Sequence, residues 1–598
     1  MKKLLKYLKP YRWFVVLTLV LLLGQAMAEL FLPTLMAEIV NDGVIYGIVY
    51  DVSRTDFIIR TGLVMLGVAL LAGLASISSS YISQRIAAGA ARNLRHDLFV
   101  KVESFSQNEF DTFSSASLIT RCTNDVAQVQ NLVNMSARML VYAPILGIGG
   151  VLMAMTRSVR MSWIIALAVV VLICMVVLIV SAVMPKFKLL QELVDKLNKV
   201  SREILHGLMV IRAFATQNHE KKRFDKTNTD LRDLGLYVAR VMAVTGPLIT
   251  FMMAGTQLLV IWVGAHNIAY HGLEIGDMIA FMQYSMQVIF AFMMVSVVLV
   301  MVPRAQVSAA RIAEVLDKEL SIKDPKSPET FGTNAGTVIF DDVCFRYPGA
   351  ETDVLEGITF TAQPGQTTAI IGPTGSGKST IASLLLRFYD VTDGSITLEG
   401  RDIRNVRQKD LRDRIGFVPQ KGQLITGTIE SNIKYGNPDA TDDEVQKIAE
   451  VAQAMEFIDE KEDKFESEIS QGGGNVSGGQ RQRLSIARAL AKNPQVLVFD
   501  DSFSALDFAT DAKLRRALKE HTADATVIVI AQRIGTIMNA EQILVLDEGK
   551  IVGRGTHDEL LKSCPAYHEI ASSQDVLNQT EHPSGINASA DESEEVTQ

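Results

Sequence analysis

The sequence predicts a helical membrane domain of six spans, followed by an α/β domain of the phosphate-loop type. Three observations indicate this fold class. The chain has 598 residues, which is more than one domain at about 150 residues each. Long charge-free stretches are confined to its first half. The second half alternates short apolar runs with helical patterns, and one of these runs leads into a glycine-rich loop.

The composition excludes several broad classes of protein. Hydrophobic residues make up 48% of the chain and charged residues 21%, which rules out a disordered protein and a single globular enzyme. The net charge of −8 gives no reason to expect a nucleic-acid ligand, and six acids in residues 574–598 predict an acidic, disordered tail. A secreted disulfide scaffold is also excluded, because the chain has four cysteines in 598 residues. Cys122, Cys174, Cys344 and Cys564 have no CxxC spacing and are predicted to be small buried or lipid-facing thiols.

Six stretches are long and apolar enough to cross a membrane, which takes about 20 residues. The first, from Trp13 to about Ala37, contains Gln25 and Glu29 but is otherwise apolar. The other five are residues 61–84, 139–156, 161–185, 241–273 and 278–303. A signal peptide cleaved after Ala26-Met27-Ala28 is the alternative for the first stretch. We favour an uncleaved span, because the apolar pattern continues past Glu29 to Val40.

The basic residues predict that both termini are cytoplasmic. Five Lys and Arg occur in the first twelve residues, six in 85–138 and twelve in 186–240. The connections on the opposite side hold fewer Lys and Arg: two in residues 38–60, two in 157–160 and none in 264–276. Basic residues collect on the cytoplasmic side of a membrane, so the long connections lie there.

The two long connections are predicted to be helical arms that extend well below the bilayer. Residues 85–111 would reach about 40 Å as a helix, and few Gly or Pro interrupt either connection. We expect the turns at Thr112–Thr120 and Met209–Thr216. Arms of this length would carry motion from a cytoplasmic motor to the membrane, whereas a solvated loop is the alternative.

Two features of the spans bear on a transported compound. Glu29 is a carboxylate about halfway through a span, which is costly unless it faces protein or water. It either lines a substrate cavity or serves as a structural hydrogen-bonded group. Methionines on the last span suit an adaptable binding surface, although filling gaps between helices is the commoner explanation. They are Met278, Met282, Met286, Met293 and Met294.

Beyond a polar linker at residues 319–335, a phosphate loop follows the apolar run Thr368–Ile371. Its residues fit GxxxxGK[ST]: Gly372, Pro373, Thr374, Gly375, Ser376, Gly377, Lys378, Ser379 and Thr380. Such glycines let backbone N–H groups surround phosphates at a helix N-terminus. Lys378 is predicted to contact the β- and γ-phosphates, and the Ser379 hydroxyl is placed for Mg²⁺.

Two further elements complete the predicted motor. The buried-strand pattern Val496–Asp500 ends in a carboxylate, which a parallel sheet would present to Mg²⁺; a helix N-cap is the alternative role of Asp500. Ser477-Gly478-Gly479-Gln480 precedes the helical pattern Arg481–Leu490 and prepares a second anion site. We expect this site to serve the nucleotide of another subunit, so that two chains facing head to tail bury two ATP molecules.

These motifs in this order resemble a bacterial ABC exporter half-transporter, over residues 1 to about 573. The resemblance implies an α-helical six-span transmembrane domain (1–318) fused to an α/β P-loop nucleotide-binding domain (336–573). It also implies that Tyr347 stacks on adenine, that Gln420 contacts Mg²⁺ and senses the membrane domain, and that Asp507 belongs to the D-loop. The two turns resemble the coupling helices of the family.

The chain departs from the family pattern at two catalytic positions. Asp501 stands where the family has a general-base glutamate, and Gln532 stands where it has the switch histidine. An aspartate carboxylate sits about 1.5 Å further back, and misplacement of about 1 Å can cost about 100-fold in rate. Glutamine does not exchange a proton as an imidazole does. A third difference lies in Ser467–Gly472, just before the signature loop Ser477–Gln480. This segment departs from the acidic and basic residues that the family usually has there.

The resemblance therefore implies the degenerate-site subunit of a heterodimeric exporter, whose partner is a second, non-identical half-transporter. Its Ser477–Gln480 would complete the competent site, and its cofactors would be ATP and Mg²⁺. The expected cargo is small hydrophobic or amphipathic compounds, which the pair would export as multidrug substrates. The expected location is the bacterial inner or plasma membrane, where lipid surrounds the spans. A homodimer with a slow Asp501 base, a dedicated lipid, peptide or thiol exporter, and an ATP-gated regulatory membrane protein are the alternatives.

Overall fold

The computed structural model describes residues 2–50, 52–332 and 336–574. They form two compact units. The first unit contains the chain up to Glu103 together with Ser115–Lys318, and the second contains Ser104–Ser114 and the chain from Glu319 onward. The expected acidic tail, apart from its first residue, and the end of the expected linker lie outside the described residues.

The described part of the first unit is built from helices joined by short turns. Its α-helices are α1 Arg12–Glu38, α2 Tyr46–Tyr50, α3 Thr55–Glu103, α5 Ser115–Thr120, α6 Val126–Ala137, α7 Ala143–Arg157, α8 Ser162–His206, α9 Leu208–Ala213, α10 Gln217–His271 and α11 Ile275–Asp317. Segments of 3₁₀-helix occur at Lys2–Tyr11 and Val159–Met161, and π-helix occurs at Ile39–Ile45, Arg121–Asp125 and Arg138–Tyr142. The cleavage point of the alternative signal peptide lies inside α1, where Ala26 is fully buried.

Among the described residues, six helical stretches are long and apolar enough to span a membrane, as the sequence predicts. Four of their α-helices contain 43 to 55 residues. At 1.5 Å per residue they are about 65–83 Å long, roughly twice the hydrocarbon thickness or more. The long connections are therefore helical arms rather than solvated loops.

The first turn lies earlier in the chain than Thr112–Thr120, where the sequence predicts it. Helix α3 ends at Glu103, and a new short helix, α4 Gln107–Thr112, begins after a Ser106 capping box. The reason is local, because the Glu109 side chain returns to the backbone N–H of Ser106 and restarts the helix there. The second turn, around α9, lies close to the predicted position.

The segment Ser104–Ser114 also belongs with the second unit, whereas the sequence assigns it to the membrane domain. The Glu109 carboxylate is 1% exposed and accepts four hydrogen bonds, from the N–H and hydroxyl of Ser106 (2.8 and 2.5 Å) and of Ser321 (2.9 and 2.6 Å). Burial raises the pKa of this carboxyl, but the hydrogen bonds outweigh burial and lower it. The Tyr389 hydroxyl donates to Asp111 at 2.7 Å.

The part of the second unit that the structure describes contains three β-sheets and many short helices. Its strands are β1 Val338–Phe345, β2 Leu355–Ala362, β3 Thr367–Ile371, β4 Asp393–Leu398, β5 Arg401–Asp402, β6 Ile415–Val418, β7 Gly427–Thr428, β8 Glu468–Ile469, β9 Val496–Asp500, β10 Thr526–Ile530, β11 Gln542–Asp547 and β12 Lys550–Gly555. Besides α4, its helices are α12 Lys378–Leu385, α13 Gln408–Asp413, α14 Ile429–Lys434, α15 Asp442–Val451, α16 Met455–Asp459, α17 Gly478–Ala491, α18 Phe508–His521, α19 Ile534–Ile537, α20 His557–Ser563 and α21 Pro565–Ser573, with 3₁₀ segments at Lys464–Glu466 and Gln471–Gly473.

The central sheet has the strand order β12-β11-β3-β10-β9-β6, and one large apolar core lies on each of its faces. Strands β3, β10, β9 and β6 pair in parallel, so their carboxyl ends meet at one edge. All five residues of β9 are buried, as expected for a strand covered on both faces. The other two sheets have the orders β2-β1-β4-β5 and β7-β8. The predicted strands and the predicted helix correspond to β3, β9 and α17.

Candidate nucleotide site

The phosphate loop connects β3 to α12, and its glycines adopt conformations that other residues disfavour. Gly375 and Gly377 have φ of 90° and 96°, in the left-handed region. A Cβ on Gly377 would also lie 2.6 Å from a methyl carbon of Leu355. The backbone can therefore close tightly at the start of α12, where N–H groups and the helix dipole favour an anion.

Lys378 lies inside this loop and is 8% exposed. Its ammonium donates to the carbonyls of Gly372 (2.8 Å) and Pro373 (2.6 Å). Burial lowers the pKa of the ammonium, and the nearby carboxylates of Asp501 and Asp500 act in the opposite direction. The site thus holds a positive charge among backbone groups, which suits the phosphates of a nucleotide.

The oxygen atoms expected to bind Mg²⁺ are adjacent. The Ser379 hydroxyl donates to Asp500 Oδ1 at 2.9 Å. Burial raises the pKa of the Asp500 carboxyl, the Asp501 charge adds to this shift, and Ser379 and Lys378 oppose it. These are the hard oxygen ligands that Mg²⁺ prefers. No cluster of three or more His, Cys, Asp or Glu suited to a metal occurs in the described ranges, so the phosphates and water would supply the other ligands.

Tyr347, the expected adenine-stacking residue, is held by a hydroxyl and two aromatic rings. Its hydroxyl lies 3.0 Å from the hydroxyl of Thr380, at the end of the phosphate loop. Its ring packs edge-on against Phe345 (4.8 Å between centroids) and Tyr389 (5.2 Å). Tyr389 also donates a hydrogen bond to Asp111, so it connects Tyr347 with the turn Ser104–Ser114.

Asp501 and Gln532 lie together at the carboxyl edge of the sheet, because Ile530 pairs with Asp500 across β10 and β9. Asp501 Oδ2 accepts one hydrogen bond from the Gln532 amide (2.9 Å) and one from the Gln420 amide (3.2 Å). Asp501 has φ of 47°, and its N–H donates to the Ile530 carbonyl at 2.8 Å. Gln420 thus contacts Asp501, and its expected contact with Mg²⁺ stays a prediction.

The signature loop lies at the start of the 14-residue helix α17. Ser477 and Gln480 form a reciprocal capping box, with distances of 2.9 and 3.2 Å. Ser477 and Gly478 remain exposed. Within the described ranges no hydrogen bond joins this loop to the phosphate loop of the same chain. Asp507 caps α18 by accepting a hydrogen bond from the Thr510 N–H at 3.0 Å, and this bond lowers the pKa of the carboxyl.

The sequence did not reveal three side chains that support the site. Gln482, on the signature helix, bonds to the Pro419 carbonyl (3.0 Å) and the Gly422 N–H (2.9 Å) on either side of Gln420. Gln574 donates to the Gln532 carbonyl (2.8 Å) and accepts from the Ile534 N–H (2.9 Å). Tyr389 is the third. Only the position of Gln482 on the helix after the signature could have suggested a role.

Comparison with known proteins agrees with this architecture. Residues 15–292 match the family described as the ABC transporter transmembrane region, and residues 355–504 match the ABC transporter family. An uncharacterized ABC transporter ATP-binding protein of Mycobacterium tuberculosis is 41% identical over 574 residues, which cover 95% of this chain and 97% of the relative.

Two other matches extend the comparison. An ATP-dependent lipid A-core flippase of Haemophilus ducreyi is 30% identical over 580 residues, covering 96% of this chain and 97% of the relative. A solved structure of a bacterial Atm1-family ABC exporter with ATP bound superimposes with a TM-score of 0.77 at 24% identity, over 94% of this chain and 98% of that one. It supports the fold. The chain therefore belongs to the ABC transporter family, as an ATP-driven, multi-pass exporter half-transporter that joins a membrane region to an ATP-binding domain.

Proposed function

We propose that this subunit holds ATP at a site that it hydrolyses poorly, and that it completes the competent site of a second, non-identical half-transporter. The observation that carries this proposal is the environment of Asp501. Its Oδ2 accepts hydrogen bonds from the amides of both Gln420 and Gln532. These neutral donors occupy the lone pairs of Oδ2, so that Oδ1 alone is left to take a proton from an attacking water.

The other catalytic position supports the same conclusion. Gln532 cannot take up and release a proton as a histidine does. The Asp501 carboxylate is one methylene shorter than glutamate, and a misplacement of about 1 Å can cost about 100-fold in rate. The nucleotide-holding groups Lys378, Ser379 and Asp500 are intact and in contact with one another or with the loop.

The exposed signature loop supports a role for this chain in its partner's site. Ser477 and Gly478 are preorganised by the capping box but have no phosphate-loop contact within the described part of their own chain. When MgATP binds, Mg²⁺ supplies charge neutralisation at the β- and γ-phosphates. Lys378 orients those phosphates, and the signature loop closes over the partner's nucleotide. Closure of the paired domains then opens the membrane half outward, and hydrolysis resets it.

The proposed cargo is amphipathic or hydrophobic compounds from the cytoplasm or inner leaflet, moved across the bacterial plasma membrane with both termini cytoplasmic. The long arms and the basic connections that they contain support this orientation. A dedicated lipid exporter is the second candidate. The flippase relative at 30% identity supports it.

The test compares ATPase rates of the purified chain alone and of the chain co-expressed with a second, non-identical half-transporter from the same organism. In the pair we expect Ser477→Ala to lower the rate about 10-fold or more, because it removes a phosphate contact and the helix cap. Asp501→Ala should change the rate less than about 2-fold. Ser563→Ala, at an exposed serine far from the motifs, is the control.

Fast hydrolysis by the chain alone that Asp501→Ala abolishes would instead establish a homodimer with an aspartate base. Uptake of a dye into inverted vesicles against its gradient separates a pump from an ATP-gated regulatory protein. Only a pump accumulates the dye when ATP is supplied. A vesicle assay with a fluorescent phospholipid separates the lipid exporter from the multidrug exporter.

A further inference from the structure

A cavity of about 600 Å³ lies in the second unit, between helix α18 and the central sheet. Its volume is within the range of about 300–1,000 Å³ that is typical of ligand sites. The lining side chains of Phe499 and Leu518 are buried, whereas Arg516, Lys519 and Asn539 line it and are exposed. The cavity therefore has an apolar floor and a polar opening that carries positive charge.

The cations at this opening are only partly balanced by carboxylates. Arg515, which also lines the cavity, pairs with Asp511 at 3.0 Å. Lys519 lies 3.5 Å from Glu541, and its side chain is 78% exposed. No carboxylate of the described residues is within ion-pair distance of Arg516. Arg516 and Lys519 are three positions apart on α18, so they share one face of the helix and suit a carboxylate-rich partner.

The same chain contains a segment of the opposite charge. Residues 575–598, which lie outside the described part of the chain, contain six Asp and Glu and no Lys or Arg. Four of the acids fall within Asp591–Glu595, and Val596 follows them. At about 3.3 Å per residue, the roughly 17 residues from Gln574 to Asp591 can span up to about 56 Å. The acidic segment therefore has both the charge and the reach to meet the opening.

The described part of the chain ends beside one wall of the cavity. Gln574 donates to the Gln532 carbonyl (2.8 Å) and accepts from the Ile534 N–H (2.9 Å). Ile534 is the first residue of the four-residue helix α19, and Thr536 of the same helix lines the cavity. The chain that leads to the acidic segment thus starts next to the opening. Because an encounter within one chain is intramolecular, weak contacts suffice to hold the segment there.

We propose that Asp591–Glu595 docks in this opening as an intramolecular ligand. Its carboxylates bind Arg516 and Lys519, and Val596 packs against the apolar floor. The charges of the two surfaces are complementary, and the tether between them is long enough. The inference does not rest on the proposed function, because the cavity and the acidic segment belong to the same chain.

Docking at this place would restrain the catalytic side of the nucleotide site. Phe499 directly precedes Asp500, and Phe503, which also lines the cavity, lies two residues after Asp501. Phe503 and Thr536 line a second, smaller cavity as well, and Asp501 is part of the wall of that one. The docked segment therefore packs behind the loop that carries Asp501 and limits its movement.

The test is site-directed cross-linking of the full-length chain in nanodiscs. Ala512→Cys places a thiol at the opening, and Ser589→Cys places one beside the acidic segment. A short bis-maleimide joins thiols that are close together, and mass spectrometry of a glutamate-specific digest identifies the joined peptides. We expect this pair to cross-link at least about 5-fold more than the control pair Lys513→Cys with Ser589→Cys. Lys513 is exposed on α18 but does not line the cavity.

Reversal of charge tests the pairing itself. Arg516→Glu combined with Lys519→Glu should lower the cross-link yield about 5-fold or more, because the carboxylates then meet like charges. Replacing the four acids of Asp591–Glu595 with lysine in that background should restore the yield. Photolabelling with azido-ATP at the wild-type level shows that each variant is folded.

Equal yields for the Ala512→Cys and Lys513→Cys pairs would overturn the proposal, and so would a yield that charge reversal leaves unchanged. Chains that carry only Ala512→Cys are also mixed with chains that carry only Ser589→Cys. A cross-link that forms as readily between these chains as within one chain would show that the segment occupies another copy, which also contradicts docking within one chain.

Discussion

The two sides of the nucleotide site differ in how firmly the protein holds them. On the binding side, Lys378 and Asp500 are each 8% exposed and are fixed by backbone carbonyls or by Ser379. On the catalytic side, Gln420 and Gln532 are exposed and reach Asp501 by one hydrogen bond each. Substitutions on the catalytic side therefore disturb little packing, whereas the binding side is part of the folded core. ATP binding and hydrolysis are separable in such a site.

The largest expected effect is the loss of ATP binding when a residue of the binding side is replaced. Lys378→Ala removes the charge that faces the β- and γ-phosphates, so ATP binding by this chain should weaken about 100-fold, or roughly 3 kcal/mol. Photolabelling with azido-ATP, followed by separation of the two chains on a gel, reports this chain alone. Lys513→Ala, at an exposed lysine on α18, should label like the wild type. Undiminished labelling of Lys378→Ala would show that the lysine is not a phosphate ligand.

The second prediction restores the catalytic side. Asp501→Glu combined with Gln532→His should preserve turnover by the pair. It should raise hydrolysis at this chain's own site about 10-fold, because the carboxylate moves forward and a proton-exchanging group returns. The rate is measured in the Ser477→Ala background, which silences the partner's site. Asp501→Glu alone is the comparison and should give a smaller gain. A rate no higher than that background would mean that other differences, such as those in Ser467–Gly472, disable the site.

The smallest expected effect concerns Tyr347, the residue expected to stack on adenine. Tyr347→Phe keeps the ring that packs against Tyr389 but loses the contact with the Thr380 hydroxyl, so ATP labelling should fall only about 2-fold. Tyr347→Ala removes the stacking surface and should cost about 10-fold. Equal losses in the two variants would assign the role to the hydroxyl rather than to the ring.

Much of the fold could be predicted because its signals are local. The six spans follow from runs of apolar residues, and the phosphate loop follows from glycines at fixed spacing between a strand and a helix. The assignment of Ser104–Ser114 to the membrane domain was wrong, because the Glu109 interaction with Ser321 joins residues 212 positions apart. The bond from Gln420 to Asp501 was not predicted either, because it joins residues 81 positions apart.

The sequence by itself determined that this chain has six stretches able to cross a membrane and a phosphate loop for a nucleotide, with Asp501 and Gln532 at two predicted catalytic positions. Those properties depend on residue type and on spacing within one element or loop. Tertiary structure alone decided that Asp501 is held by two glutamines, that Ser104–Ser114 packs with the motor, and that the Gln287 amide bonds to the Glu29 carbonyl. Each of these depends on which distant side chains meet when helices and strands pack, and neither periodicity nor a motif encodes that pairing.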